Sequence, residues 1–226
     1  MIMGASLFYN TVTPSLMAVL TDLMHKSIFD DYILVGGTSL SLRLGHRISV
    51  DIDLFTEKPY GSVDYEQFDA YFKNRYKYVD RPDRTNIVGM GRSYYVGDSA
   101  KDSVKVDLYY TDAFIRPYSV TDNIRLASID DIVAMKVDVI QRRGRKKDFW
   151  DLHELLDSYP VAKMLKLHEE RYPFSHDRDL IINNSTDFDN ADDDFDPECL
   201  RGKYWEMIKA DFIDVIKQME IPDVAK

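Results

Sequence analysis

The N-terminal half of the chain combines helical spacing of apolar residues with short apolar runs. Apolar residues recur at helical spacing over residues 16–24, and Thr13 followed by Pro14 is typical of a helix start. The pattern predicts a first helix that ends near Phe29. The apolar residues 32–35 then stop at a pair of glycines, which predicts a strand, a tight turn and a short second helix.

Polar and apolar residues alternate strictly in the next segment. Residues 50–55 place Asp51 and Asp53 on one side and apolar side chains on the other, which predicts a half-buried strand with an acidic face. Residues 87–96 and 104–110 have the composition of strands and flank a polar loop. We expect these two segments to form a hairpin.

The C-terminal half is predicted to be mostly helical. Ser128 is a typical N-cap for an amphipathic helix over residues 129–143, and a second helix is expected over residues 147–156. Residues 205–219 have the apolar spacing of a last amphipathic helix. Residues 183–198 are rich in aspartate and poor in apolar side chains, which predicts a solvated loop.

Together these elements predict the α+β fold class. A mixed α/β core is expected from residue 1 to about Thr121, and residues 122–226 are expected to form a helical C-terminal region. The boundary is placed where strand-like alternation stops and helical periodicity begins.

Composition and charge narrow the class of protein. The 226 residues include 29 Lys and Arg against 39 Asp and Glu, a formal net charge of −10, so any nucleic-acid contact must come from a local basic patch. A single cysteine, Cys199, excludes an intramolecular disulfide framework and a zinc site built on several thiolates. Neither a signal sequence nor an apolar stretch of about 18 residues is visible. We therefore expect a soluble cytoplasmic protein without a membrane segment.

The acidic face of the predicted strand is the first candidate for chemistry. Asp51 and Asp53 would lie about 7 Å apart along the strand, and paired carboxylates suit Mg²⁺, which also takes water and substrate phosphates as ligands. A third carboxylate, Asp107, lies in the predicted strand 104–110. If the two strands were neighbours, the three carboxylates could hold two metal ions. The alternative is an exposed edge strand with two ordinary aspartates.

The turn after the first predicted strand is a candidate anion site. It comprises Gly36, Gly37, Thr38 and Ser39. A turn from strand to helix presents backbone N–H groups and a helix N-terminus to a phosphate, and the two hydroxyl groups add donors. The alternative is that the glycines only allow the chain to turn tightly.

The helix predicted over residues 129–143 carries a lysine within its apolar stripe. Lys136 lies in the middle of that stripe, where an unpaired ammonium group is costly to bury. One interpretation is that the side chain packs its alkyl part and extends its ammonium group into water. The other is that the ammonium group meets phosphates or a carboxylate in a cleft, where attraction offsets the loss of hydration.

A strongly basic run follows this helix in an otherwise acidic chain. It consists of Arg142, Arg143, Arg145, Lys146 and Lys147 around Gly144. These cations could follow the phosphates of a nucleotide or an RNA, or they could only stabilise the C-terminus of a helix. Asp148 comes next, and an acid there also suits the N-terminus of the following helix.

Five segments are informative when they are taken in order. They are Val-Gly-Gly-Thr-Ser-Leu (35–40), His-Arg-Ile-Ser-Val-Asp-Ile-Asp-Leu-Phe (46–55), Lys-Val-Asp-Leu (105–108), Asp-Ile-Val-Ala-Met-Lys (131–136) and Arg-Lys-Lys-Asp-Phe-Trp-Asp-Leu (145–152). In this order they resemble the AbiEii/AbiGii-type nucleotidyltransferase toxin family of the DNA polymerase beta-like superfamily. The resemblance implies a minimal nucleotidyltransferase fold, a mixed β-sheet flanked by helices, with a helical C-terminal part.

The resemblance also implies a role for each candidate residue. The contacts to nucleotide phosphates would come from Gly36, Gly37, Thr38 and Ser39. Asp51 and Asp53 would bind Mg²⁺, with two ions expected, and Asp107 would be a third metal ligand or the base for the acceptor hydroxyl. Lys136 matches the lysine of the third family motif, and Asp148 matches the acid of the fourth.

The resulting hypothesis is a Mg²⁺-dependent nucleotidyltransferase that moves a nucleoside monophosphate from an NTP to an acceptor hydroxyl. The resemblance implies the toxin of a toxin–antitoxin or phage-defence system, with an antitoxin protein as partner and tRNA as an acceptor that the basic run could bind. The net negative charge instead favours a cationic small-molecule acceptor, such as an antibiotic hydroxyl. A third alternative is a non-catalytic module that binds a partner on the same fold.

Overall fold

The computed structural model describes residues 6–82 and 89–220. The chain divides into two compact units, the first formed by Met1–Gly45 and Ser49–Ser128 and the second by His46–Ile48 and Ile129–Lys226. The start of the predicted hairpin, residues 87 and 88, lies outside the described residues.

Within the described residues, the first unit is built on a mixed sheet with three α-helices. Its helices are α1 (Pro14–Met24), α2 (Gly36–Leu44) and α3 (Tyr65–Arg75), and its strands are β1 (Ile33–Leu34), β2 (Asp51–Thr56), β3 (Tyr78–Asp80), β4 (Gly91–Gly97), β5 (Ser103–Tyr110), β6 (Ser119–Thr121) and β7 (Ile124–Leu126). The strands follow the order β3-β4-β5-β2-β1-β7-β6. The pairs β2–β5 and β1–β7 are parallel, and the other neighbours are antiparallel.

Local chemistry explains where several of these elements begin and turn. The hydroxyl of Thr13 accepts a hydrogen bond from the backbone N–H of Leu16 at 3.1 Å, so it caps α1 as its position predicts. The hairpin β6–β7 turns at Asp122 and Asn123, both with positive φ. Two such residues are typical of a two-residue hairpin turn, and Asn and Asp tolerate this conformation better than most side chains.

The core of the first unit lies on one face of the sheet. Ile52 and Leu54 of β2 and Val106 and Leu108 of β5 are fully buried and share one apolar cluster with side chains of α1 and α3. The intervening residues of both strands are only half-buried. Since side chains alternate between the faces of a strand, the acidic residues of β2 lie on the face opposite this core, as predicted.

The second unit is helical. Its helices are α4 (Ile129–Gln141), α5 (Lys146–His153), α6 (Val161–Arg171), α7 (Arg178–Asn184), α8 (Asp189–Asp192) and α9 (Trp205–Glu220). Phe149 of α5 makes edge contacts with the rings of Phe188, Trp205 and Phe212. The segment His46–Ile48 joins this unit through backbone hydrogen bonds to residues 198 and 200.

The structure differs from the sequence-based prediction in its element boundaries. α1 ends at Met24, and a separate 3₁₀ turn, Ser27–Phe29, completes the predicted length. The first unit takes in β7, which lies beyond the boundary predicted after Thr121. Strands of three residues show too little alternation to be recognised in a sequence.

The solvated loop predicted over residues 183–198 is wrong in part. Phe188 and Ala191 are 8% and 1% exposed, and they bury one side of the short helix α8. Two apolar residues among many aspartates are a weak sequence signal, yet the aromatic contact of Phe188 with Trp205 holds this part of the segment against the unit.

The helices of the described residues include none that is both long enough and apolar enough to cross a membrane.

Candidate active site

The parallel pairing of β2 with β5 brings the predicted acidic residues to one face of the sheet. Asp53 is opposite Asp107 and Asp51 is opposite Lys105 in the strand register. Directly opposed residues in neighbouring strands share a face, so the three carboxylates and the Lys105 ammonium group lie on the same side of the sheet. The condition set for a three-carboxylate site, that the two strands be neighbours, is met.

Gly36 lies directly against Asp53. Its φ is +67°, and a Cβ atom at this position would collide with Asp53 Oδ2. The backbone N–H of Val35 also donates to the carbonyl of Asp53 at 2.9 Å. A Cβ atom at residue 36 would therefore require the Asp53 carboxylate to move, and the positive φ disfavours any residue other than glycine there.

The hydroxyl groups of the glycine turn point inward. Thr38 is 1% exposed, and its hydroxyl donates to the backbone carbonyl of Asp51 and lies 2.8 Å from Ser49 Oγ. Ser39 is fully buried, and its hydroxyl has no hydrogen-bond partner within the described part of the chain. Thr38 thus ties the turn to the acidic strand. Gly36 and Gly37 are less buried than Thr38 and Ser39, so their backbone N–H groups are the better candidates for anion donors.

The acidic face also carries a cationic side chain, Lys105. Its ammonium group forms an ion pair with Asp107 Oδ2. Burial lowers the pKa of Lys105, but the hydrogen bond and charge of Asp107, with the charges of Asp51 and Asp53, outweigh it and raise the pKa above its usual value. Lys105 therefore stays protonated and offsets part of the repulsion among the carboxylates.

The donor set fits a hard divalent cation, although it is not arranged as a closed site. Among residues 6–82 and 89–220, no three acidic, histidine or cysteine side chains are grouped as metal ligands. Asp107 Oδ1 is nevertheless buried and has no hydrogen-bond partner among the described residues. A buried carboxylate oxygen without a partner is costly, and carboxylate oxygens are the ligands that Mg²⁺ prefers.

Lys136 is buried in the second unit against two carboxylates. Its ammonium group lies 2.6 Å from Asp148 Oδ1 and 2.7 Å from Asp151 Oδ2, and the residue is 7% exposed. Burial lowers the pKa of Lys136, but the attraction of the two carboxylates is larger and raises it. Of the two interpretations of this lysine, extension of the ammonium group into water is wrong, and pairing with a carboxylate is what the structure has.

Asp151 is the centre of this ion-pair cluster and was not among the predicted site residues. It is fully buried and receives two hydrogen bonds from the Arg47 guanidinium group, at 2.6 and 2.8 Å, and lies 2.8 Å from His46 Nε2. Burial raises the pKa of Asp151, but Lys136 and Arg47 together hold it well below its usual range. Asp148 has a second role as well, since its Oδ2 accepts the backbone N–H of Arg145 at the start of α5.

The predicted site residues thus form two groups, each within its own unit. The first unit brings together Gly36, Asp51, Asp53 and Asp107. The second brings together Lys136 and Asp148. Lys105 was missed although strand alternation places it on the same face as Asp107, two residues away. Asp151 was missed because its ion pair with Arg47 joins residues far apart in the chain, which leaves no local pattern. Both residues lie in the quoted segments, where Lys105 is two residues before Asp107 and Asp151 is three residues after Asp148.

The fold agrees with the one that the resemblance implies, and a family model assigns the chain to the nucleotidyltransferase class. The model of the family described as "Nucleotidyl transferase AbiEii toxin, Type IV TA system" matches residues 18–223, and the chain belongs to this family of nucleotidyltransferases. The α+β fold class, the family and the enzyme class predicted from the sequence are therefore confirmed.

One sequence relative and two solved structures match most of the chain. The uncharacterized protein aq_aa25 of Aquifex aeolicus (strain VF5) is 29% identical over 203 residues, 84% of this chain and 89% of its own. A crystal structure of a proposed nucleotidyltransferase from H. pylori superimposes with a TM-score of 0.56 at 20% identity, covering 91% of each chain. MenT4, a nucleotidyltransferase toxin from Mycobacterium tuberculosis H37Rv, gives 0.52 at 14% identity, covering 92% of this chain and 84% of its own. At these identities the two structures support the fold alone.

The close approach of Gly36 to Asp53 predicts a specific effect of adding a methyl group. Gly36→Ala should force the Asp53 carboxylate out of position and lower nucleotide transfer by about a hundredfold, since a displacement of about 1 Å in a reacting group has effects of this size. Gly61→Ala is the matched control, because Gly61 also has a positive φ but has nothing within 4 Å of an added Cβ. Both variants should lose about 1–2 kcal/mol of unfolding free energy in urea. Equal transfer by the two would contradict the prediction.

The ion-pair cluster predicts that Asp151 stabilises the second unit. Asp151→Asn leaves Arg47 and Lys136 with one carboxylate fewer, and we expect it to lower the unfolding free energy by about 3–5 kcal/mol in urea at neutral pH. Asp179→Asn, which breaks an exposed ion pair with Arg178, should cost less than about 1 kcal/mol.

The same cluster sets the sign of a pH dependence. Because the pKa of Asp151 is lowered in the folded protein, its contribution is complete above about pH 4 and is lost as the pH falls below that value. The difference in stability between wild type and Asp151→Asn should therefore shrink in acid. A difference that grows on acidification would contradict this assignment.

Proposed function

We propose that the protein is a Mg²⁺-dependent enzyme that transfers a nucleoside monophosphate from an NTP to an acceptor hydroxyl. The observation that carries the proposal is the strand register that places Asp53 opposite Asp107, with Gly36 against Asp53. Asp51, Asp53 and Asp107 would hold the metal. When bound, Mg²⁺ would neutralise charge on the triphosphate and assist departure of pyrophosphate.

The protein's own groups would position the triphosphate and the acceptor. The N-terminus of α2 and the backbone N–H groups of Gly36 and Gly37 would receive phosphate oxygens, since both carry partial positive charge. Thr38 would hold the turn in place through the hydrogen bond from its hydroxyl to the backbone carbonyl of Asp51. Asp107 Oδ1 is buried and has no partner among the described residues. It would complete the metal ligands or, if Asp51 and Asp53 alone hold the metal, accept the proton of the acceptor hydroxyl.

Lys136 and Asp148 are proposed as a functional pair. Within the second unit, the Lys136 ammonium group would hold the carboxylates of Asp148 and Asp151 in place, and Asp148 would keep it protonated and oriented. Support comes from the match of both residues to the third and fourth family motifs and from their 2.6 Å ion pair.

The proposed acceptor is tRNA, and the proposed biological role is that of a toxin neutralised by an antitoxin protein. Membership of the AbiEii toxin family supports the toxin role and the antitoxin partner. The basic run over residues 142–147 supports RNA as the acceptor. The formal net charge of −10 favours a second candidate, a cationic small molecule with a free hydroxyl group.

A transfer assay with single-site variants tests the proposed reaction. The purified protein is incubated with Mg²⁺, each labelled NTP in turn, and either unfractionated tRNA or a polyhydroxylated amine. We expect label on tRNA, and we expect Asp51→Asn and Asp53→Asn to reduce it by about a hundredfold or more, the loss typical when one charge-stabilising group is removed. Asp98→Asn, an exposed carboxylate of the same unit, is the control.

The outcomes of this assay separate the candidates. Label on the amine alone would replace tRNA by a small-molecule acceptor. Transfer that persists in Asp53→Asn would mean that the acidic strand takes no part in the reaction. No transfer by wild type to either acceptor, combined with no uptake of Mg²⁺ or NTP in calorimetry, would favour a non-catalytic module.

Lys105 provides a prediction that does not depend on activity. Its ammonium group occupies Asp107 Oδ2, so a bound Mg²⁺ must compete with it for the same carboxylate. Lys105→Gln should therefore bind Mg²⁺ on the order of tenfold more tightly in a calorimetric titration, as expected when a competing charge is removed. Lys101→Gln removes an equal charge from an exposed position of the same unit and should change little. Unchanged affinity in Lys105→Gln would mean that metal and ammonium do not compete.

A further inference from the structure

The basic run, residues 142–147, contacts an acidic segment of the same unit, residues 187–196. Arg145 makes a two-pronged ion pair with Asp194, at 3.0 Å from Nε and 2.7 Å from Nη2. Arg143 Nη2 lies 3.3 Å from Asp187 Oδ2. Lys146 Nζ lies 2.8 Å from Asp196 Oδ1. The candidate phosphate-binding cations are thus paired with carboxylates of the same chain.

The arginines of this contact remain accessible, but the lysine does not. The side chains of Arg143 and Arg145 are 63% and 60% exposed, whereas that of Lys146 is 7% exposed and lies over the ring of Trp205. An external anion can therefore reach the two guanidinium groups. Lys146 serves the packing of the unit.

The pairing of Arg145 with Asp194 has the geometry by which arginine binds phosphate. A guanidinium group presents two parallel N–H donors that match the two oxygens of either a carboxylate or a phosphate. Asp194 in this respect occupies the position that a phosphate would take. Its pKa is lowered, first by the hydrogen bond from Arg145, so it is fully ionised at neutral pH.

The acidic segment is firmly anchored at one part and weakly held at another. Phe188 and Ala191 are buried, and Asp192 accepts a hydrogen bond from the Trp205 indole at 2.6 Å. Phe195, by contrast, is 91% exposed. The arginine of each pair is at least 60% exposed although its carboxylate partner is more buried. Water therefore screens the attraction in part, and residues 193–196 can exchange partners without unfolding of the rest of the segment.

We propose that Arg143 and Arg145 form an RNA-binding surface, and that Asp187 and Asp194 occupy it in the free protein in place of RNA phosphates. RNA binding is then an exchange of a carboxylate for a phosphate at each arginine. This proposal rests on the proposed function for its choice of RNA as the polyanion. It explains how a chain with a net charge of −10 can carry a phosphate-binding surface without attracting every nucleic acid.

Two double variants of equal charge test the proposal. Asp187→Asn with Asp194→Asn removes the carboxylates that pair with the arginines. Asp189→Asn with Asp193→Asn changes the net charge equally within the same segment, and neither of these residues pairs with a cation in the described residues. The probe is unfractionated tRNA in fluorescence anisotropy at several salt concentrations, with tryptophan fluorescence as the check that each variant is folded.

The first double variant should bind tRNA on the order of tenfold more tightly than wild type at low salt, and the second should not. Its dependence of log affinity on log salt should also steepen, by about 0.7–0.9 for each phosphate gained. Adding Arg143→Gln and Arg145→Gln to the first double variant should abolish the gain. Equal tightening by both double variants would reduce the effect to net charge and overturn the proposal, as would no tightening by either.

Failure of this proposal is distinguishable from failure of the proposed function. If wild type transfers label to tRNA but the first double variant binds tRNA no more tightly, the surface assignment is wrong and the reaction stands. If the first double variant binds tRNA more tightly while no variant transfers label to it, the surface assignment stands and tRNA is not the acceptor.

Discussion

The parallel pairing of β2 with β5 is the constraint on which the candidate site depends. Side chains alternate along both strands, so one register decides at once which residues fill the core and which face outward. A slip by one residue would bring Ile52 or Val106 onto the acidic face and bury Asp53 or Asp107. The full burial of Leu54 and Leu108 therefore fixes the carboxylates as firmly as it fixes the core. The same register brings Lys105 opposite Asp51, so the strand pair that concentrates negative charge also supplies the first cation against it.

The second unit also holds several charged side chains close together, but there they are buried. Asp151 has no exposed surface, and an isolated carboxylate in such a place would be protonated or would destabilise the fold. Arg47 meets it with two hydrogen bonds, and Lys136 links it to Asp148. A buried ion pair of this kind need not stabilise the fold more than well-packed apolar side chains would, but removing one of the two charged partners is strongly destabilising. The cluster therefore favours one arrangement of α4, α5 and the segment His46–Ile48 over alternatives in which any charge is left alone.

Features set by local sequence could be predicted, and features set by contacts between distant residues could not. Alternation at residues 50–55 gave the correct strand and the correct acidic face, and the cap at Thr13 was visible in the sequence. The order of the five segments identified the family, because several short motifs in a fixed order are far more specific than a single motif. The ion pair of Lys105 with Asp107 is an exception, because it joins residues only two apart on one strand face. The ion pair of Asp151 with Arg47 joins residues far apart in the chain, so no local pattern could predict it. The acidic segment was misjudged for the same reason, since the partners of Phe188 lie in α5 and α9.

The same electrostatic arrangement recurs at the proposed functional groups of both units. Lys105 pairs with Asp107, Lys136 with Asp148, and Arg145 with Asp194. At the exposed Arg143 and Arg145, a guanidinium group already paired with a carboxylate would gain from a phosphate only the difference between two similar attractions, so RNA binding there would be an exchange of anions. Such an exchange would lower affinity for a single phosphate but favour a ligand that presents two phosphates at the spacing of these two guanidinium groups, because the second exchange occurs within one complex. An acidic chain built this way can discriminate among polyanions by geometry, where an unpaired basic surface would bind them all by charge.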